Sequence, residues 1–113
     1  MSARNALLTS PPYAVEGALR RLGANLRTAR LRRNLTLGEM AEKIGTGRRA
    51  VMEAERGKPS TAVAVYAALL WAMDLLGPFD ELADPAMDEE GQTLALSRER
   101  RRARQIGKLD NDF

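Results

Sequence analysis

Residues 34–57 place two short amphipathic segments on either side of a glycine-containing turn, and this arrangement most constrains the fold. Thr36 followed by Glu39 predicts a capping box, in which each side chain accepts a hydrogen bond from the other residue's backbone N–H. Gly45 predicts the end of the first helix, because glycine readily takes the positive φ found at helix C-termini. We therefore expect two helices joined by a tight turn, with Gly57 ending the second helix.

The second helix of this pair, expected over residues 48–56, has one apolar side and one polar side. Val51 and Ala54 lie on the apolar side, where they can pack against the rest of the domain. A polar helix supported from behind by a short helix is the element that enters the major groove of DNA. We predict that this polar side reads bases through Arg48, Arg49, Met52 and Glu53.

The residue types on the polar side suit G·C pairs. One guanidinium group can donate to both O6 and N7 of guanine, and a glutamate can accept from the amino group of cytosine. A half-site that contains G·C pairs is therefore expected. Two readings of the arginine pair stay open: both Arg48 and Arg49 contact bases, or one of them contacts only phosphate.

The segment resembles the helix-turn-helix of the Cro and phage-repressor superfamily, also called the XRE family. The similarity lies in Leu35-Thr36, in the run EMAEKIG over residues 39–45, and in Arg48, Val51 and Glu55-Arg56-Gly57. It continues weakly upstream to residue 26 and downstream to about residue 82. The resemblance implies an all-α, five-helix phage-repressor-like domain that acts as a homodimeric repressor on double-stranded DNA with a pseudo-palindromic operator.

The resemblance also implies roles for residues around the base-reading helix. Arg30 and Glu55 match positions that form a partly buried ion pair. Leu37 departs from the pattern, because family members commonly have glutamine there, and Gly38 lowers the helix propensity beside it. With leucine at this position, only the backbone N–H at the helix start can contact phosphate. The expected phosphate contacts are Arg27, Thr36, Leu37, Thr46, Lys58 and Ser60.

Charge is segregated along the chain, although the net charge is only +3. Residues 1–58 contain 12 Lys/Arg and 5 Asp/Glu, and residues 74–90 contain seven acids and no base. The basic first half coincides with the helix pair, where attraction to phosphates is useful. Residues 98–108 contain six bases and one acid. This second basic run is either a solvated surface or a nonspecific nucleic-acid-binding segment.

Three parts are expected in the chain. Residues 1–14 lack apolar periodicity and end near two prolines, which predicts a flexible N-terminal arm. Residues 15–85 form the helix-turn-helix domain, and residues 86–113 form a charged tail that is partly helical or disordered.

Three further helices are expected within the domain, over about residues 15–33, 62–76 and 79–83. The helix over residues 62–76 is apolar nearly all round, so it needs neighbours on more than one side. In so small a domain we expect one of these sides to meet a second subunit. The predicted dimer contacts are Tyr66, Leu70, Trp71 and Phe79.

Composition excludes several kinds of site. The sequence has no cysteine and no histidine, which rules out disulfides, the common zinc sites and histidine-based catalysis. No phosphate-cradling glycine loop is present, so we expect no enzymatic activity, cofactor, metal or small-molecule ligand. The longest apolar stretch, residues 62–73, is too short to span a bilayer, and no secretion signal is evident. We expect a cytoplasmic protein that associates with the bacterial nucleoid.

A small repressor with a charged extension also resembles HipB-type antitoxins, which repress their own operon and bind a HipA-type kinase. This resemblance implies a toxin protein as a possible partner, with Leu109 and Phe113 as anchors in the tail. Two alternatives remain open. The chain is a free-standing phage-type repressor, or it is a protein-interaction module that has lost specific DNA reading.

Overall fold

The computed structural model describes residues 5–111, with side chains described as far as Lys108. All elements in this range are helical, which confirms the predicted all-α class. The helices are α1 (Ala6–Thr9), α2 (Tyr13–Arg32), α3 (Leu37–Ile44), α4 (Arg48–Glu55), α5 (Val63–Ala72), α6 (Gly77–Asp80) and α7 (Glu89–Asn111), with a 3₁₀ helix over Pro85–Met87. The chain forms two compact units that divide between Phe79 and Asp80.

Two of these helices lie where the sequence predicts none or only a partial one. Helix α1 forms one turn inside the expected N-terminal arm, and the Asn5 side chain caps it by accepting from Leu7 N at 3.0 Å. Helix α7 runs without a break for 23 residues through the charged tail. Helix α5 ends at Ala72, earlier than expected, because Asp74 takes a positive φ of 59° and turns the chain.

The predicted boundaries of α3 are present in atomic detail. Thr36 Oγ1 accepts from Glu39 N at 3.0 Å, and Glu39 Oε1 accepts from Thr36 N at 3.1 Å. The backbone N–H of Thr36 therefore holds the pKa of the Glu39 carboxyl below its usual range. Gly45 ends the helix with φ 76°, and Thr46 N donates to Ala41 O at 3.0 Å. These bonds fix a short turn between α3 and α4.

The core of the first unit is aliphatic and rich in alanine. It is built from α2, α3, α4 and α5, each of which contributes a narrow buried stripe. Small side chains let short helices approach closely, and large aliphatics fill the space between them. The buried apolar residues are Leu26, Ala29, Met40, Ala41, Val51, Ala54, Tyr66, Leu69 and Met73.

Helix α2 crosses the end of α4 at a contact that two glycines make possible. A Cβ added to Gly23 would lie 2.6 Å from the carbonyl oxygens of Ala54 and Glu55. Gly57 has φ 69°, and a Cβ there would lie 2.5 Å from Leu19 O. Backbone therefore packs directly on backbone, which sets the position of α4 on the long helix.

The second unit begins at Asp80 and contains the 3₁₀ helix and α7. Asp88 Oδ1 accepts from Gly91 N at 3.0 Å and so caps the start of α7. Gln92 Nε2 donates to the carbonyl oxygens of Pro85 and Ala86, each at 3.0 Å. These contacts tie the first turns of α7 to the preceding 3₁₀ helix.

Candidate nucleic-acid interface

The outer face of α4 is the side opposite its buried stripe. Val51 and Ala54 have no exposed surface, so the rotation of α4 about its own axis is fixed. Arg48 and Arg49 are exposed in its first turn, and the Arg49 side chain is 88% exposed. Met52 and Glu53 are half-buried in the next turn, and Arg56 follows at the helix end. We call these five residues the outer face.

The start of α4 is open to solvent. Gly47 is the N-cap residue, and no side chain caps this end. Thr46, a predicted phosphate contact, is half-buried in the turn before it. The N-terminus of a helix carries a partial positive charge, which adds to the charge of the two arginines in the first turn. This end of α4 is therefore the more electropositive part of the outer face.

Glu53 is engaged with two cations rather than standing free. Its Oε1 accepts from Arg49 Nε at 3.2 Å and from Lys58 Nζ at 3.3 Å. The Lys58 ammonium, and then Arg49, hold the pKa of the Glu53 carboxyl below its usual range. A carboxylate in this position restrains Arg49 and Lys58 through Oε1, and its second oxygen, Oε2, can still accept a further hydrogen bond. The structure thus gives Glu53 a supporting contact that the sequence did not indicate.

An ion pair beneath α4 ties it to α2 and to the loop before α3. Arg30 Nε donates to Glu55 Oε2 at 2.6 Å, and Nη2 donates to Oε1 at 3.0 Å. The two side chains are only 9% and 7% exposed. Arg30 Nη1 also donates to Leu35 O at 2.8 Å. The bond to Glu55 raises the pKa of the Arg30 guanidinium, and the hydrogen bonds of Arg30 hold three segments together.

The other predicted phosphate-contacting residues differ in exposure and in whether their side chains already make contacts within the chain. Arg27 and Ser60 are exposed. The Thr36 hydroxyl already accepts the capping bond. The Leu37 side chain packs against the core, so this residue can offer DNA only its backbone N–H. The structure therefore leaves Arg27 and Ser60 as the side chains with the fewest competing contacts.

A cleft beside the outer face brings in residues that sequence reasoning did not assign to the site. It has a volume of about 740 Å³ and lies between residues 8–11, the start of α2, and α4 with the segment after it. Arg20 and Arg56 line it together with Arg49 and Lys58. Arg20 is paired with Glu16 at 2.7 Å and remains 71% exposed. Only the folded chain brings these basic residues from α2 and α4 to one surface.

The predicted dimer contacts divide into two groups. Tyr66 is only 4% exposed and donates through its hydroxyl to Lys58 O at 3.0 Å. Burial raises the pKa of this phenol. Tyr66 is therefore covered by its own chain, and its place in a dimer interface stays a prediction. Leu70 and Phe79 are half-buried, and Trp71 is 60% exposed.

The predicted partner-binding anchors lie outside the residues whose side chains are described. For Leu109 only the backbone, which is part of α7, is described, and Phe113 lies beyond the described residues. No cluster of acidic side chains between residues 5 and 108 is arranged to hold a metal ion. Within the described chain, no helix has the length and apolarity needed to cross a membrane. Comparison of the sequence and structure with known protein families, curated proteins and solved structures finds no match.

Proposed function

We propose that the protein is a sequence-specific DNA-binding repressor of transcription, with α3 and α4 as a phage-repressor-like helix-turn-helix. Helix α4 inserts its outer face into the major groove. The observation that carries this proposal is the exposed pair Arg48 and Arg49 at the first turn of a helix whose opposite side is fully buried. A helix held this way presents the same side chains to every DNA site that it meets.

The support behind α4 is as important as the arginines. The buried Arg30–Glu55 pair and the close contact at Gly23 both fix the C-terminal end of α4 on α2. A rigid base lowers the entropy lost when Arg48 and Arg49 bond a guanine. Each bidentate contact of this kind contributes roughly 1–3 kcal/mol of discrimination against the wrong base.

The basic residues around the cleft supply the second component of binding. Arg56 belongs to the outer face, Arg20 and Lys58 border it, and Arg27 is exposed on α2. Contacts from such residues to phosphates position a protein on DNA without reading its sequence. The overall affinity is then expected to fall steeply as salt concentration rises.

A homodimer completes this proposal. Val63 and Trp71 on α5 are 67% and 60% exposed, which leaves apolar surface available to a second copy. Two copies of α4 would then reach successive major grooves about 10 bp apart.

Sedimentation equilibrium tests the proposed dimer, since Trp71→Glu is expected to convert a dimer to a monomer. A wild-type mass equal to one chain would refute the dimer.

Duplex from upstream of the gene and a scrambled duplex provide the direct test by fluorescence anisotropy. We expect wild type to prefer the upstream duplex and Arg48→Ala/Arg49→Ala to lose that preference. The matched control is Arg21→Ala/Arg32→Ala, which removes two exposed α2 arginines that do not line the cleft. Equal binding of wild type to both duplexes, or equal losses in the two variants, would contradict the proposal.

An autoregulating antitoxin is a narrower form of the same function. Helix α7 keeps Leu94, Leu96 and Ile106 more than half exposed, so it has apolar surface that a toxin protein such as a HipA-like kinase can cover. Deletion of residues 109–113 is expected to abolish capture of the neighbouring gene's product and to spare DNA binding. Undiminished capture by the truncated chain would remove the tail from this role.

A further inference from the structure

The second half of α7 carries a dense positive charge that the described structure does not neutralise. Every residue from Arg98 to Ile106 is exposed. No ion pair between described side chains includes a residue of α7. Glu99 is the one acid in the run, and the residues four positions away from it on either side are alanines. The favourable i,i+4 pairing seen for Glu16 and Arg20 on α2 is therefore absent from this part of α7.

Helical geometry gathers these charges on one side. At 3.6 residues per turn, the basic side chains fall within an arc of roughly 200° centred on Arg101. The opposite side carries Leu96, Glu99 and Ala103. We call the arc the basic face of α7, and its members are Arg98, Arg100, Arg101, Arg102, Arg104 and Lys108.

The helix brings like charges together at a cost to its own stability. Arg98 and Arg102, Arg100 and Arg104, and Arg104 and Lys108 are each four residues apart, so they are neighbours that repel one another. The acids Glu89 and Glu90 lie at the other end of the helix, roughly 12 Å or more from Arg98 at 1.5 Å per residue. A polyanion bound along the basic face would relieve this repulsion.

Two features favour a phosphodiester backbone as the polyanion. Five of the six bases are arginine, whose planar group bonds phosphate oxygens in pairs. A helix that binds an anionic membrane needs a continuous apolar face. On α7, Leu94 and Leu96 point in directions roughly 160° apart and so lie on nearly opposite sides. Phosphodiester backbone therefore fits this helix better than a lipid surface does.

We propose that the basic face of α7 binds the phosphodiester backbone of double-stranded DNA without regard to base sequence. Residues 100–108 extend about 12 Å, a length over which one DNA strand presents roughly three or four phosphates. This site is separate from base reading by α4. It requires no operator, so it stands or falls independently of the proposed repressor function.

Binding of the full chain to a scrambled 20-bp duplex, measured over a salt series, tests this site. Arg101→Gln/Arg104→Gln removes two charges from the basic face. The matched control Leu96→Glu/Ala103→Glu changes the net charge by the same amount on the opposite side. Each lost phosphate contact lowers the slope of log K against log salt by about 0.9, so we expect a fall of about 2 in the arginine variant and a smaller one in the control.

Two further arms make the result unambiguous. Arg101→Lys/Arg104→Lys retains the charge and is expected to keep the wild-type salt slope, while circular dichroism checks that all variants remain helical. Equal slopes for the glutamine variant and its control would overturn the proposal. It would also be overturned if the arginines governed binding to phosphatidylserine vesicles or to single-stranded RNA while leaving duplex binding unchanged.

Discussion

Single residues decide how α4 is seated, and Gly23 is the clearest case. It lies in the middle of the long helix α2, where glycine costs roughly 1 kcal/mol of helix propensity relative to alanine. That cost is offset because the missing Cβ lets α2 approach the carbonyl oxygens of Ala54 and Glu55. A methyl group placed there would meet backbone, which cannot move aside as a side chain can.

We therefore expect Gly23→Ala to destabilise the protein by about 1–3 kcal/mol, as overpacked sites do. Gly17→Ala in the same helix is the control. Its Cβ would meet only the flexible Arg21 side chain, at 3.2 Å, so the gain in helix propensity is expected to stabilise the protein. Urea unfolding of both variants measures the difference. A Gly23→Ala variant as stable as Gly17→Ala would show that the close contact does not hold α4.

The buried ion pair is the second contact at this scale. Glu55→Ala leaves the Arg30 guanidinium buried without its bidentate partner, and removing one member of such a pair costs about 3–5 kcal/mol. Glu53→Ala removes a half-buried carboxylate two residues earlier, whose partners Arg49 and Lys58 are exposed. This change is expected to cost much less, because ion pairs with exposed partners contribute little. Thermal denaturation compares the two. If the Glu55→Ala protein had the same melting temperature as wild type, the ion pair would have no structural role.

At the scale of elements, the sequence predicted those helix ends that are set by hydrogen bonds between residues close together in the chain. The start of α3 is set by the capping box of Thr36 and Glu39, and its end is set by the positive φ of Gly45. The early end of α5 depends on the positive φ of Asp74. An aspartate in the sequence does not by itself predict this conformation. Helix α7 was hard to predict because its charge also suits disorder.

The capping box of α3 makes the stability of the folded chain depend on pH. Bonds from Thr36 lower the pKa of Glu39 in the folded chain below its ordinary value of 4.5. A lowered pKa stabilises the fold above that value, and the contribution is lost as the pH falls through the folded-state pKa. Glu39→Gln is therefore expected to be less stable than wild type at pH 7 and equally stable at acidic pH. Glu42→Gln on the same helix is the control, and a pH-independent difference for Glu39→Gln would contradict this account.

The candidate site was only partly visible in the sequence. Arg48 and Arg49 could be assigned because two adjacent arginines at a helix start sit on a predictable side. Arg20 reaches the same surface only through the crossing of α2 and α4, and the Glu53 contact with Lys58 depends on the turn at Gly57. The sequence did not show that Tyr66 is buried within its own chain, because an all-apolar helix does not reveal which of its sides that chain covers.

For the whole molecule, we propose a base-reading helix α4, a basic surface around it and a second basic face on α7. These parts predict different behaviours on DNA. In the proposed function, the outer face of α4 would determine which sequence is bound, and phosphate contacts would determine how affinity responds to salt. Loss of either property leaves the other measurable.

Selection of binding sites from a random duplex library tests the central claim most directly. We predict that wild type enriches a pseudo-palindrome with G·C-containing half-sites about 10 bp apart, and that Arg48→Ala/Arg49→Ala enriches no such site. Enrichment of no sequence by wild type, or of the same sequence by the double variant, would show that the outer face of α4 does not read DNA.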